Sequence, residues 1–182
     1  MQQLCYTSHK LEKHVKSKHL FYRKQLFRVR LNKKKGIRTM HKILFICHGN
    51  ICRSPMAESV MTHLVTQAKR NHEFVIDSAA VSREEIGNGV HYGTREVLRK
   101  YNIPCIDHHA RQLTKEDAEY FDLILCMDLS NIRYAQRLIP LKHHHKIRTL
   151  LNRNIADPWY TGNFEETYRD VLSGCTKLLE KL

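Results

Sequence analysis

The chain has 182 residues, with 31 Lys+Arg against 18 Asp+Glu and a formal net charge of +13. That length suits one domain with a sizeable core, and a hydrophobic content of 42% fits neither a disordered nor a membrane-embedded chain. No apolar run approaches the roughly 18 residues of a membrane span, and the N-terminus lacks the apolar stretch of a secretion signal. Six Cys make no disulfide scaffold, so the expected location is the cytoplasm, with the cysteines held as thiols.

The charge is divided unevenly. Residues 1–39 carry eight Lys and four Arg against a single acid, Glu12, whereas residues 40–182 carry 19 basic and 17 acidic side chains. The arm interleaves cations with aromatics, as in Leu20-Phe21-Tyr22-Arg23-Lys24, a pattern compatible with an anionic membrane or nucleic acid. It makes a poor transit peptide, because Lys outnumbers Arg and Ser is scarce. The arm is expected to be a flexible or non-native extension, with contacts to polyanions as the alternative. No nucleic-acid partner is expected for the body.

In the body, short apolar runs predict strands at 42–46, 74–77, 122–127 and 146–151. Helical patterns fall at 55–70, 94–102, 115–120, 130–138 and 164–180, the last with Tyr168, Val171, Cys175 and Leu178 on one apolar face. Strands alternating with helices argue for an α/β fold with a parallel sheet and helices on both faces.

The segment after the first strand concentrates the chemistry. It reads Cys47-His48-Gly49-Asn50-Ile51-Cys52-Arg53-Ser54-Pro55 and runs directly into the helix at Met56. A loop from a strand's C-terminal end to a helix N-terminus gathers backbone N–H groups and the positive end of the helix dipole, which suits a tetrahedral oxyanion. Gly49 and Asn50 are the residues that best tolerate positive φ in so tight a cradle, and Pro55 suits a first helical turn. Placed there, Cys47 is favoured as a thiolate nucleophile, and Arg53 can clamp two phosphoryl oxygens. Ser54 can donate to the sulfur. A lone Cys-x5-Arg arises often by chance, and a Cys after a strand is usually packing. Here, however, the match extends through C-x-G-N-x-C-R-S-P in its strand–loop–helix setting.

With this loop, residues 40–182 resemble the low-molecular-weight protein tyrosine phosphatases. Asp77-Ser78-Ala79-Ala80, Ala110-Arg111-Gln112, Met127-Asp128 with Asn131, and Asp157-Pro158-Trp159-Tyr160 carry the resemblance further. It implies three layers, with a four-stranded parallel sheet flanked by helices and the phosphate-binding loop after the first strand. It also implies a two-step phosphomonoesterase mechanism with no metal or cofactor, acting on phosphotyrosine proteins or small aryl phosphates. Chains of this family commonly begin near Met40, consistent with residues 1–39 being an extension. The implied catalytic residues are Cys47, Arg53 and Asp157. The remaining loop positions, His48 to Cys52 and Ser54, would bind phosphate.

Asp157 precedes Pro158, which biases it toward an extended conformation able to project a carboxyl over a cleft; an ordinary Asp-Pro turn is the plain alternative. As general acid it must hold a proton while Cys47 is ionised, which predicts a bell-shaped rate profile with an acidic optimum. Trp159 and Tyr160 can wall an apolar slot, and Ile51 can pack on a phenyl ring, favouring aryl phosphates over slimmer phosphoester or phosphoramidate substrates. Cys52 is either a reversible disulfide partner of Cys47 or a small lining residue. His108 stands where the family often has a His bonded to the loop Asn, here Asn50. Many members carry an aromatic residue at the pocket rim where this chain has Glu84 and Glu85. These two form either an acidic lip favouring basic peptides or a solvated loop.

The run His143-His144-His145 reads as a solvated loop rather than a metal site, and Cys105, Cys126 and Cys175 read as core fillers. Two other functions remain in play. Thiol-coupled arsenate reduction uses a similar scaffold but needs further clustered redox cysteines, and none lies between Cys126 and Cys175. An anion-binding module with a basic nucleic-acid or membrane arm is the non-enzymatic alternative.

Overall fold

A computed structural model describes residues 40–182. The expectations for the basic arm, residues 1–39, fall outside the described residues. Strand β1 (His41–Cys47) pairs in parallel with β2 (Phe74–Ala80) on one side and with β3 (Leu123–Cys126) on the other. A short β4 (Ile147–Thr149) adds to β3. Among the described residues these strands form one four-stranded parallel sheet in the order β2-β1-β3-β4.

The helices are α1 (Arg53–Gln67), α2 (Tyr92–Lys100), α3 (Lys115–Tyr120), α4 (Leu129–Leu138), α5 (Pro158–Thr161) and α6 (Phe164–Lys181). Leu44, Ile46, Ala79, Ile124 and Cys126 share one face of the sheet and pack with Ala118, Phe121, Ala135 and Ile139 of the α3 and α4 regions. Strand alternation sends Ile43, Phe45 and Leu125 to the other face. Each of these three is at most 1% exposed. There α1 lies against β1, β2 and α6. Tyr168, Val171, Cys175 and Leu179 supply the buried stripe of α6, so both faces are covered, as a parallel sheet requires.

The sequence-based boundaries shift for identifiable reasons. β2 runs three residues past the expected end because Val81 N–H donates to the Cys47 carbonyl and Ala80 bridges Gln112, carrying the pairing to the level of the loop. β4 is half the expected length. Helix α1 starts two residues early, at Arg53, and gives way beyond Gln67 to Lys69 in the left-handed region (φ 59°). The histidine run 143–145 is not a plain loop but part of a 3-10 helix (Leu141–Lys146), with the His144 ring against the Ile139 carbonyl. Cys126 and Cys175 are fully buried, whereas Cys105 is exposed, contrary to expectation, since it lies in the irregular segment after α2 rather than in the sheet or a helix. Among the described residues no helix is long and apolar enough to cross a membrane.

Candidate active site

Cys47 ends β1, and α1 begins six residues later, so the intervening loop must turn sharply at the carboxyl edge of the sheet. The turn is made at Asn50, with φ 59° and no solvent exposure. Gly49 does not share that conformation; a Cβ there would lie 3.0 Å from Cγ of Glu85, so the Glu85 side chain would have to give way slightly. No side chain caps the N-terminus of α1, so its leading amides keep their hydrogen-bonding capacity for an anion.

The Asn50 side chain organises what lies beneath the loop. Its Nδ2 donates to Ser54 Oγ at 2.9 Å and to Ser78 Oγ at 2.8 Å, and its Oδ1 accepts from Arg111 N–H at 3.1 Å. Because an amide NH₂ only donates, both hydroxyl oxygens accept, and each hydroxyl must send its own proton elsewhere. Ser54 therefore points its proton at Cys47 Sγ, 3.0 Å away, where Asn50 N–H also arrives at 3.2 Å. Two donors thus converge on the sulfur. Ser78 sends its proton to Glu58 of α1. His108 donates through Nε2 to the Asn50 carbonyl at 2.7 Å. Burial holds the His108 ring below the ordinary imidazole range, against the raising effect of that bond and of Asp77.

Arg53 is 3% exposed. Its Nη1 donates to Asp128 Oδ2 at 2.6 Å and to the Ile155 carbonyl at 3.2 Å, and its Nη2 donates to Asp157 Oδ2 at 2.5 Å. Burial opposes the charge, but the neighbouring Cys47, Asp157 and Asp128 outweigh it and hold the guanidinium above its usual range. The Nε of Arg53 is buried without a hydrogen-bond partner. Asp157 has the extended conformation (φ −83°, ψ 115°) and caps α5, its Oδ1 accepting from Trp159 N–H at 3.1 Å. Asp128 likewise caps α4 through Oδ1, leaving Oδ2 for the arginine.

Cys47, His48, Gly49, Ile51, Cys52 and Arg53 line one cavity of about 100 Å³. Asp157, Trp159 and Tyr160 join them from the α5 segment, and Glu84 and Glu85 from the loop after β2. Trp159 and Tyr160 are 57% and 83% exposed, so the cavity floor is buried while its mouth is open and aromatic. Ile51 is buried, packed with Cys52, Ala110 and Phe164. Asn50, Ser54 and His108 sit behind the loop rather than in the cavity. Burial, reinforced by Cys47 and Asp157, pushes the Cys52 thiol up to about 12, so it is uncharged beside the Cys47 sulfur at neutral pH.

Sequence reasoning gave no role to Glu58, Ser78, Asp128 or His91. Glu58 is largely buried with Oε2 unpartnered, and burial, ahead of Asp77, raises its carboxyl to about 7. His91 donates its backbone N–H to the Ile51 carbonyl at 2.8 Å, stacks on Phe164 and meets the edge of Trp159. Asp128 and Ser78 lay in segments that carried the resemblance, but nothing in their local sequence told of Arg53 or Asn50. Among the described residues no group of His, Cys, Asp and Glu is arranged to hold a metal ion.

The sequence model of the low molecular weight phosphotyrosine protein phosphatases matches residues 42–182. The mouse low molecular weight phosphotyrosine protein phosphatase is 42% identical over 149 residues, which cover 76% of this chain and 94% of that protein. The low molecular weight protein-tyrosine-phosphatase YfkJ of Bacillus subtilis is 37% identical over 150 residues, 79% of this chain and 96% of that one. The crystal structure of YfkJ superposes with a TM-score of 0.76 over 81% of this chain and 96% of its own. The chain belongs to the low molecular weight phosphotyrosine protein phosphatase family, and is thus a phosphoric monoester hydrolase.

Proposed function

We propose that the chain hydrolyses phosphotyrosine in proteins, and small aryl phosphates, through a phosphocysteine formed on Cys47. One observation carries this reading: Cys47, Arg53 and Asp157 line a single cavity, with the sulfur receiving Asn50 N–H and the Ser54 hydroxyl, and with Arg53 joined to Asp157. A phosphoryl group over the uncapped N-terminus of α1 competes with Asp128 and Asp157 for the guanidinium, whose fork matches two equatorial oxygens. Asp157, released beside a dianion, takes up a proton from solvent.

The Cys47 thiolate then attacks phosphorus in line. The S–P bond forms as the ester P–O bond breaks, and Asp157 delivers its proton to the departing phenolate oxygen. Arg53 and the loop amides meet the charge spreading over the equatorial oxygens. In the second step Asp157 takes a proton from water as its oxygen attacks phosphorus. The S–P bond breaks, and the sulfur leaves as a thiolate into its Ser54 and Asn50 hydrogen bonds. Trp159 and Tyr160 flank the ring, and His108 supports Asn50 from behind.

We assign this activity to residues 40–182, with residues 1–39 an extension outside the catalytic body. Cys47, Cys52, Cys126 and Cys175 are free thiols, which favours a reducing compartment such as the cytoplasm. Cys52 stands as the candidate partner for a reversible disulfide with Cys47. A relay for arsenate reduction finds no support in Cys126 or Cys175, since both are buried and held strongly as thiols.

Hydrolysis of p-nitrophenyl and phenyl phosphate by the wild type, Cys47→Ser and Asp157→Ala tests the reading. Cys47→Ser should lower kcat by at least about 10⁴-fold. Asp157→Ala should slow phenyl phosphate by about 10²- to 10⁴-fold, and the better leaving group less. Full activity in Cys47→Ser would overturn the nucleophile, and equal losses on the two esters would overturn the acid.

A further inference from the structure

Two of the residues lining the cavity take no part in this chemistry, and both are acids at its mouth. Glu84 accepts from His48 Nε2 at 3.0 Å, and Glu85 packs its Cγ against Gly49 while its Oε2 accepts from Asn88 Nδ2 at 2.7 Å. Their loop is tied down along its length. Ser82 N–H donates to the His48 carbonyl, Gly87 N–H to the Ala110 carbonyl, and Ala110 N–H to the Asn88 carbonyl. The segment is therefore an anchored lip rather than a freely solvated loop. Arg53 is the one Lys or Arg among the cavity-lining residues, and it is buried and paired with two carboxylates.

Two carboxylates at the mouth of a site for a phosphate dianion are an electrostatic cost for a small anionic ester. A substrate recovers that cost when it brings positive charge to the rim. An extended peptide advances about 3.3 Å per residue, so side chains one or two positions from the phosphorylated residue fall within a Debye length of the lip. The unpartnered Nε of buried Arg53, at the cavity floor, marks where the anionic end of such a ligand goes.

We propose that Glu84 and Glu85 are specificity-determining residues that select phosphotyrosine flanked by Lys or Arg over phosphotyrosine flanked by acids. The proposal rests on the phosphatase reading above and names its substrate class. Glu84 is the more exposed member, with 70% of its side chain accessible, and alongside its bond to His48 it can meet a peptide cation directly. Glu85, half-buried against the phosphate loop, sets the potential of the mouth.

The test uses the full chain at about pH 7.5, where histidines are mostly neutral. Three phosphotyrosine peptides of equal length carry Lys/Arg, Ala or Glu at the flanking positions, with p-nitrophenyl phosphate alongside. The basic peptide should exceed the acidic one in kcat/KM by about tenfold at low salt, and high salt should shrink that ratio toward one. Glu84→Gln and Glu85→Gln should each reduce the ratio by about two- to fivefold, and Glu84→Lys with Glu85→Lys should invert it. The salt titration needs no variant and stands even if a substituted protein fails to fold. Turnover of every peptide at equal rates, with a ratio unmoved by salt or by Glu84→Gln, overturns the lip while leaving the phosphatase intact. A preference for acidic flanks overturns it too. Failure to hydrolyse p-nitrophenyl phosphate overturns the phosphatase reading, and the lip falls with it.

Discussion

The phosphate loop and the mouth above it are built on opposite physical terms. Cys47, Asn50, Arg53 and Ser54 are each at most 3% exposed, and most of their polar atoms are bound into one another and into Ser78, Arg111 and Asp128. At the mouth, Trp159 and Tyr160 are mostly in solvent and Glu84 is tied by one hydrogen bond from His48. A buried, densely hydrogen-bonded network responds steeply to any deletion, since a lost partner strands another buried polar group. An exposed rim responds weakly to single changes, and its effects grow only when several charges or rings act together. The floor therefore fixes the reaction, and the mouth is where single substitutions cost least.

The sharpest way to break this contrast is at Asn50. Asn50→Gly keeps the left-handed backbone but strips the bonds to Ser54, Ser78 and Arg111. It should cost about 3 kcal/mol in denaturant unfolding and lower kcat by about 10²-fold, because Ser54 is no longer aimed at the sulfur. A variant of wild-type stability and rate would show that the network is not what holds the floor.

Glu58 sharpens the same contrast through pH. Its carboxyl is held at about 7 instead of 4.5, so its ionisation penalises the folded state. That penalty is absent below about pH 4.5, grows as pH rises toward 7 and then levels off at roughly 3 kcal/mol. Glu58→Gln removes the dependence, so its stability relative to wild type should improve by up to that amount between about pH 4.5 and 8. Parallel pH–stability curves would place the ionisation elsewhere.

The smallest effect is expected at the rim. Trp159→Ala should raise KM for aryl phosphates by about five- to tenfold with little change in kcat, since the ring only flanks the substrate. A loss confined to kcat would mean that the indole ring acts on the chemical step rather than on binding.

Much of the floor is legible in the sequence, because its parts are neighbours along the chain. Strand, tight loop and helix follow one another within residues 41–67, so the nucleophile position, the anion cradle and the clamp could all be placed by spacing. The Asp-Pro segment could be read as a projecting carboxyl because proline restricts the residue before it. Local reading erred where a residue's reason is spatial: Gly49 serves a close approach to Glu85 rather than a positive φ, and Cys105 is exposed rather than buried.

The sequence by itself determined the α/β layering, the loop and the family, since hydrophobic periodicity and a nine-residue motif are local signals. Only the tertiary structure decided that Ser78 and Arg111, 28 and 61 positions from Asn50, hold it, and that Asp128 shares Arg53 with Asp157. It likewise turned Glu84 and Glu85 from two acids in a loop into an anchored lip. A parallel sheet brings the carboxyl ends of all its strands to one edge, so the partners of its catalytic loop come from turns far apart in the chain.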